Sequence, residues 1–203
     1  MTHFHWDLIQ GIPFFAPLYD ASNNVSFHSS RSSDELRNIL EGQMSNPYFP
    51  VPFEMLPAKR EFVCVPHEGL QYGNLHIYPF PLYHPQGATG YRLESQGAVV
   101  VHASDFEHGN AEMDAMLRRY ARDADILVYD SQYTPEEYEA KKGWGHSTWV
   151  EGVRVAREAN VKRLILFHHD PGHTDSFLET LVQEARWQFP NTDAAKEGWS
   201  IRI

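Results

Sequence analysis

Hydrophobic and polar positions change texture twice along the chain. Residues 12–57 are irregular and aromatic, with Pro13, Pro17, Pro47, Pro50 and Pro52 punctuating them; they predict an insertion or lid region rather than regular layers. Within this stretch Ser33-Asp34-Glu35 opens a short helix whose Leu36, Ile39 and Leu40 share a face. From Glu61 the pattern predicts strands over Phe62–Val65, Leu75–Tyr83, Gly90–Glu94 and Ala98–His102. After Asp105 strands and helices alternate. Helices are expected over Ala111–Asp123, Thr148–Ala159 and Asp175–Arg186, strands over Ile126–Tyr129 and Arg163–Phe167, and a closing strand over Gly198–Ile203. Strands first, then strand–helix alternation, predict a layered α/β protein with a mixed sheet. No repeat, low-complexity tract or Gly/Ser/Pro-rich linker divides the chain, so one domain over residues 1–203 is expected.

Composition narrows the function classes. With 42% hydrophobic and 13% aromatic residues, the chain can bury a core, which excludes wholesale disorder. No apolar run approaches the length of a membrane span. The single cysteine, Cys64, cannot form an internal disulfide; a reducing, cytoplasmic setting follows as the default, with the thiol expected buried in its apolar strand. Seventeen basic residues against 27 acidic ones give a formal charge of -10, which argues against broad electrostatic binding of nucleic acid. The 12 histidines change the picture most.

Their placement is ordered. His3-Phe4-His5-Trp6-Asp7 puts two imidazoles at i and i+2, which in an extended loop point the same way and can grip one ion, while Asp7 reaches a neighbouring ion or water. Taken alone, a His-rich N-terminus accounts for the cluster equally well. Three more residues then follow three separate strand candidates: His84 after Leu75–Tyr83, Asp105 after the strand ending at His102, and His168 after Arg163–Phe167. Strand ends and loops are where a rigid scaffold presents functional groups. Together they form one converging set.

This order resembles the metallo-β-lactamase-fold hydrolases, whose signature is an H-x-H-x-D-H loop followed by a single His, a single Asp and a final His. Gly143-Trp144-Gly145-His146-Ser147-Thr148 resembles the Gly-His-Ser-Thr-like segment of the ribonuclease Z and cyclic-phosphodiesterase branch. The resemblance implies an αββα sandwich. It implies that His3, His5 and His84 hold a first metal, that Asp105 bridges, and that Asp7, Asp105 and His168 hold a second. It assigns catalytic roles to Asp7, to His146 at the scissile phosphate or leaving oxygen, and to Asp130, which orients His146. Nitrogen and oxygen ligands without thiolate suit Zn²⁺, with Mn²⁺ or Fe²⁺ as alternatives, at one or two ions per chain.

Two positions depart from the family pattern. Leu8 stands where the loop places a second-site histidine, which weakens that site. The fold also places strands before the metal loop, and the chain opening at Met1-Thr2 is expected to lack them. The function implied is a metal-dependent phosphodiesterase using a metal-bound hydroxide. The acidic balance favours a small, cyclic-nucleotide-like diester over nucleic acid; no membrane partner is expected, and a homodimer stays open. Two readings compete: a lactone or thioester hydrolase, which gives His146-Ser147-Thr148 no task, and a degenerate one-metal or non-catalytic binding domain. His169 and His173 are read as supporting or exposed groups, with Asp170 and Thr174 capping the helix after them.

Overall fold

A computed structural model describes residues 1–203. The chain forms two compact units, Met1–His67 and Glu68–Ile203.

The first unit contains helix α1 (Trp6–Ile9), strand β1 (Asn24–Ser29), helix α2 (Ser33–Gln43) and strand β2 (Lys59–Cys64), with three short 3-10 turns between them. β1 and β2 run parallel, from Asn24↔Lys59 to Ser29↔Cys64. A parallel pair needs a crossover, and α2 supplies it. Ser32 starts α2 with a capping box: its hydroxyl accepts from Glu35 N–H, and the Glu35 carboxylate accepts from Ser32 N–H. Leu36, Leu40 and Met44 then bury against Leu18, Phe27, Phe53 and Leu56. Residues 12–57 are therefore more regular than the prolines suggest. The missed strand β1 carries its own signal, because Val25 and Phe27 alternate with polar residues. Phe53 belongs to this core, whereas Tyr48 is exposed.

Two further expectations fail here. Asp7 does not continue an extended loop; it lies exposed in the first turn of α1, where its carboxylate favours the positive end of the helix. Leu8, beside it, is exposed. Cys64 ends β2 with its side chain exposed, not buried.

The second unit is a seven-stranded mixed sheet in the order β3-β4-β5-β6-β7-β8-β9. Its strands are β3 (Leu70–Tyr72), β4 (Leu75–Leu82), β5 (Ala88–Ser95), β6 (Ala98–Ala103), β7 (Ile126–Asp130), β8 (Leu164–Phe167) and β9 (Thr192–Ala194). The first four form an antiparallel meander, and β6 to β9 pair in parallel. The connections are helices α3 (Ala111–Ala121), α4 (Pro135–Glu139), α5 (Trp149–Glu158) and α6 (Asp175–Gln188). Val101 and Ala103, Leu127 and Tyr129, and Leu164 and Leu166 alternate along their strands onto the face that Leu117, Val153 and Val182 cover from α3, α5 and α6. No helix is long and apolar enough to cross a membrane.

The expected closing strand over Gly198–Ile203 is irregular chain. The edge next to β8 is taken by β9 instead, where Asp193 accepts from both Arg163 and Arg186. Three residues, Thr-Asp-Ala, are too few to show a period. Gly90 shows how tightly the meander packs. It faces Phe80 across β4 and β5, and a Cβ there would meet the Phe80 ring at 2.4 Å. Phe80 cannot retreat, because it is buried and stacked on Tyr120 at 4.5 Å. Gly90→Ala is expected to cost about 1–3 kcal/mol, a drop of roughly 2–12 °C in Tm by thermal melting; a wild-type melting curve would show that the ring gives way freely.

Candidate functional site

Strand direction gathers the candidates of the second unit. β4 and β6 point the same way, each being antiparallel to β5, and β7 and β8 run parallel to β6. All four therefore end at one edge of the sheet, the edge where open α/β sheets present ligand groups. His84 follows β4, Asp105 follows β6, Asp130 is the last residue of β7, and His168 follows β8.

Asp105 and His168 adopt left-handed backbone angles, φ 60° and 58°. Such strain in non-glycine residues concentrates at functional sites, where the surroundings hold it in place. For Asp105 the holding group is Asp130: the Asp105 N–H donates to Asp130 Oδ2 at 2.9 Å, and Ser104 Oγ donates to Asp105 Oδ2 at 2.9 Å. Asp130 is fully buried. Its Oδ2 also takes His146 Nδ1 at 2.9 Å, and its Oδ1 accepts the N–H groups of Ser147 at 3.0 Å and Gln132 at 3.2 Å. One carboxylate thus anchors the backbone of Asp105 and aims the ring of His146.

His146 stacks on His168, centroids 4.9 Å apart and rings 11° from parallel, and His168 Nε2 lies 3.0 Å from Asp105 Oδ1. Asp105, His146 and His168 each bring one donor atom within 4.8 Å of the others. His84 lies edge-on to His146 at 5.6 Å. Its Nδ1 meets Gly145 O at 2.9 Å. A carbonyl only accepts, so Nδ1 carries the proton and Nε2 keeps its lone pair, the form in which imidazole binds a metal. Tyr133 stands edge-on to His146 at 6.0 Å, its phenol pushed up to about 12 by burial.

In the first unit His3 and His5 meet edge to face at 4.6 Å, with His3 buried. His5 sits in an extended conformation as the residue before α1, and Asp7 is exposed on that helix.

Several residues around the site make contacts that sequence reasoning missed. Glu107 is buried and accepts hydrogen bonds from Tyr138 and from the backbone of Gly143 and Gly145. Ser147 sits between His108 Nδ1 at 2.9 Å and Tyr129 Oη at 3.1 Å, and burial pushes the Tyr129 phenol up. Only the position of Glu107, two residues after Asp105, hinted at its place. Thr174 caps α6 as expected, whereas Asp170 accepts from Gly172 N–H in the preceding turn. His173 pairs with Glu137 at 2.8 Å, and the half-buried His169 is held below the usual imidazole range by burial. Neither joins Asp105 and His168 as a donor. Trp144 is exposed, with the Lys141 ammonium over its ring.

Comparison with known proteins gives this arrangement a family. The beta-lactamase superfamily domain matches residues 1–169. The chain belongs to that superfamily. A ribonuclease Z of Prochlorococcus marinus (strain MIT 9515) is 24% identical, the match covering all of this chain and 81% of the relative. A ribonuclease Z of Ligilactobacillus salivarius is 33% identical over 89 residues, which is 44% of this chain and only 28% of that relative's length. Among solved structures, the metallo-beta-lactamase fold protein YhfI of Bacillus subtilis superposes with a TM-score of 0.74 at 19% identity, covering 98% of this chain and 73% of that one. A diphosphatase of the PhnP family gives 0.69 at 21% identity, over 100% and 69% of the two chains. The mixed α/β fold is that of the metallo-β-lactamases, and such a fold implies a divalent metal. The donors present fit one: imidazole and carboxylate atoms without thiolate, one imidazole held by its Nδ1–H so that Nε2 is the unprotonated nitrogen.

Proposed function

We propose that this member of the beta-lactamase superfamily is a metal-dependent phosphodiesterase acting on a small, cyclic-nucleotide-like diester. The observation that carries the reading is the Asp130–His146 pair set against the Asp105–His168 contact. It combines ligands for a cation with an imidazole whose tautomer is fixed, which phosphodiester chemistry uses and carbonyl hydrolysis does not require.

In this reading His84, Asp105 and His168 are metal ligands within the second unit, and His3, His5 and Asp7 are metal ligands within the first. The metal, Zn²⁺ by the nitrogen-rich donor set, would acidify a water and neutralise non-bridging phosphate oxygens. The chain's own part lies with His146. Asp130 occupies Nδ1, so only Nε2 exchanges a proton, and an imidazolium stabilised by that carboxylate can protonate the departing oxygen. Asp105 has its backbone pinned by Asp130, so the ligand and the acid keep a fixed spacing.

The ribonuclease Z relatives make RNA the competing phosphodiester, and the net charge of -10 speaks against it. Elemental analysis of protein purified without chelator is expected to show Zn, or Mn or Fe, that chelation removes. Hydrolysis of bis(p-nitrophenyl) phosphate and of a cyclic nucleotide should vanish with the metal and return on its restoration. A lactone and a thioester should be poor substrates. Absence of metal even after reconstitution would overturn the reading, and preferential cleavage of RNA would replace the small diester.

A further inference from the structure

We infer that Glu107 is a positioning residue that sets the imidazole of His84 through the loop from Tyr138 to His146. The inference deepens the proposed function, since it rests on His84 being a metal ligand. Glu107 lies on no strand, and its hydrogen bonds go to neither imidazole. It is 5% exposed, yet its carboxylate is saturated. Oε1 accepts from Tyr138 Oη and from Gly143 N–H, both at 2.8 Å; Oε2 accepts from Gly143 N–H at 2.9 Å and from Gly145 N–H at 3.1 Å. Its own N–H donates to Tyr83 O at 2.7 Å. Glu107 therefore grips both sides of one contact: the backbone just before His84, and the loop whose Gly145 carbonyl accepts the hydrogen bond from His84 Nδ1–H.

The loop needs such a grip. Gly143 and Gly145 have φ of 85° and 89°, angles that leave the segment no secondary structure of its own. Gly145 also approaches so closely that a Cβ would lie 2.3 Å from His84 Nδ1. A small displacement of the loop removes the carbonyl from Nδ1. His84 can then place its proton on either nitrogen, and the fraction with Nε2 unprotonated falls.

Glu107→Gln tests this with nearly unchanged volume. An amide has one accepting oxygen and a donating NH2 group, so at least one donor of Tyr138, Gly143 or Gly145 would face another donor. In metal-free, ¹⁵N-labelled protein, long-range ¹H–¹⁵N correlation of the side chains should show wild-type His84 as a single Nδ1–H tautomer. Glu107→Gln should show a mixture of the two. Titration with Zn²⁺ against a chromophoric chelator should give an affinity about 10–100-fold weaker. A lower melting temperature alone, with His84 and Zn²⁺ affinity at wild-type values, would overturn the inference and leave Glu107 a structural group. If wild type binds no Zn²⁺, the metal reading fails while the His84 tautomer still decides the role of Glu107. If Glu107→Gln does not fold, Tyr138→Phe removes one donor and keeps the carboxylate. A partial shift of the His84 tautomer in that variant supports the role, and none overturns it.

Discussion

Replacement of His146 by alanine should lower turnover of an activated phosphodiester by about two to four orders of magnitude, the range for a lost general acid. Bound metal should stay at its wild-type level. Asp130 holds Nδ1 of His146 at 2.9 Å, and in the proposed mechanism Nε2 exchanges the proton. Alanine keeps the backbone N–H contacts of the segment, since Ser147 N–H still reaches Asp130 Oδ1. His168 loses a stacking partner but keeps its contact with Asp105. Elemental analysis beside steady-state kinetics checks this. Because His146 also brings a donor atom into the cluster with Asp105 and His168, a parallel loss of metal would reassign it as a ligand. Unchanged turnover would remove it from the chemistry.

Asp130→Ala should have the largest effect on stability and abolish activity as well. The carboxylate serves four donors at once: the N–H groups of Asp105, Gln132 and Ser147 and the His146 ring. Each buried donor left unpaired costs about 1–3 kcal/mol. Water entering the vacated space offsets part of the sum, so a loss of roughly 3–5 kcal/mol is expected. In a protein of this size that corresponds to a fall of about 6–20 °C in Tm. Asp130→Asn separates the two roles. Its carbonyl can still accept from Ser147 and Gln132, so thermal melting should show a smaller loss. Its NH2 group, however, cannot accept from Asp105 N–H or from His146 Nδ1. Activity should then fall almost as far as in the alanine variant, because His146 would be driven to the other tautomer and Asp105 would lose the bond that holds its backbone at φ 60°. Asparagine at wild-type activity would show that neither bond matters to turnover.

Much of the fold was legible because its signals are local. Leu36 and Leu40 recur at helical spacing beside a capping Ser and Glu, and Val101, Leu127 and Leu164 sit in short apolar runs flanked by turns. The mixed sheet followed from the order of those runs. Among the elements that escaped, β3 and β9, three residues each, and α4, five residues, have no period of their own, whereas β1 has one that the surrounding prolines masked. The closing strand was misplaced because Trp199, Ile201 and Ile203 alternate with polar residues, a pattern that predicts pairing whether or not an edge is free. β9 holds the edge beside β8.

By itself the sequence determined which donor groups the chain carries and in what order. The order of His3, His5, Asp7, His84, Asp105, His146 and His168 and the Gly-His-Ser-Thr segment are covalent facts, and strand periodicity was enough to put His84, Asp105 and His168 at strand ends. The tertiary structure alone decided how those groups are held. Asp130 reaches Asp105 across 25 residues and His146 across 16, and Glu107 reaches Gly143 across 36. Such bonds follow from strand order and loop closure, which no local period encodes. The same distance in sequence hid Glu107: besides the Tyr138 hydroxyl, its partners are the backbone N–H groups of Gly143 and Gly145, a group that every non-proline residue carries, so no pattern of side chains could mark them.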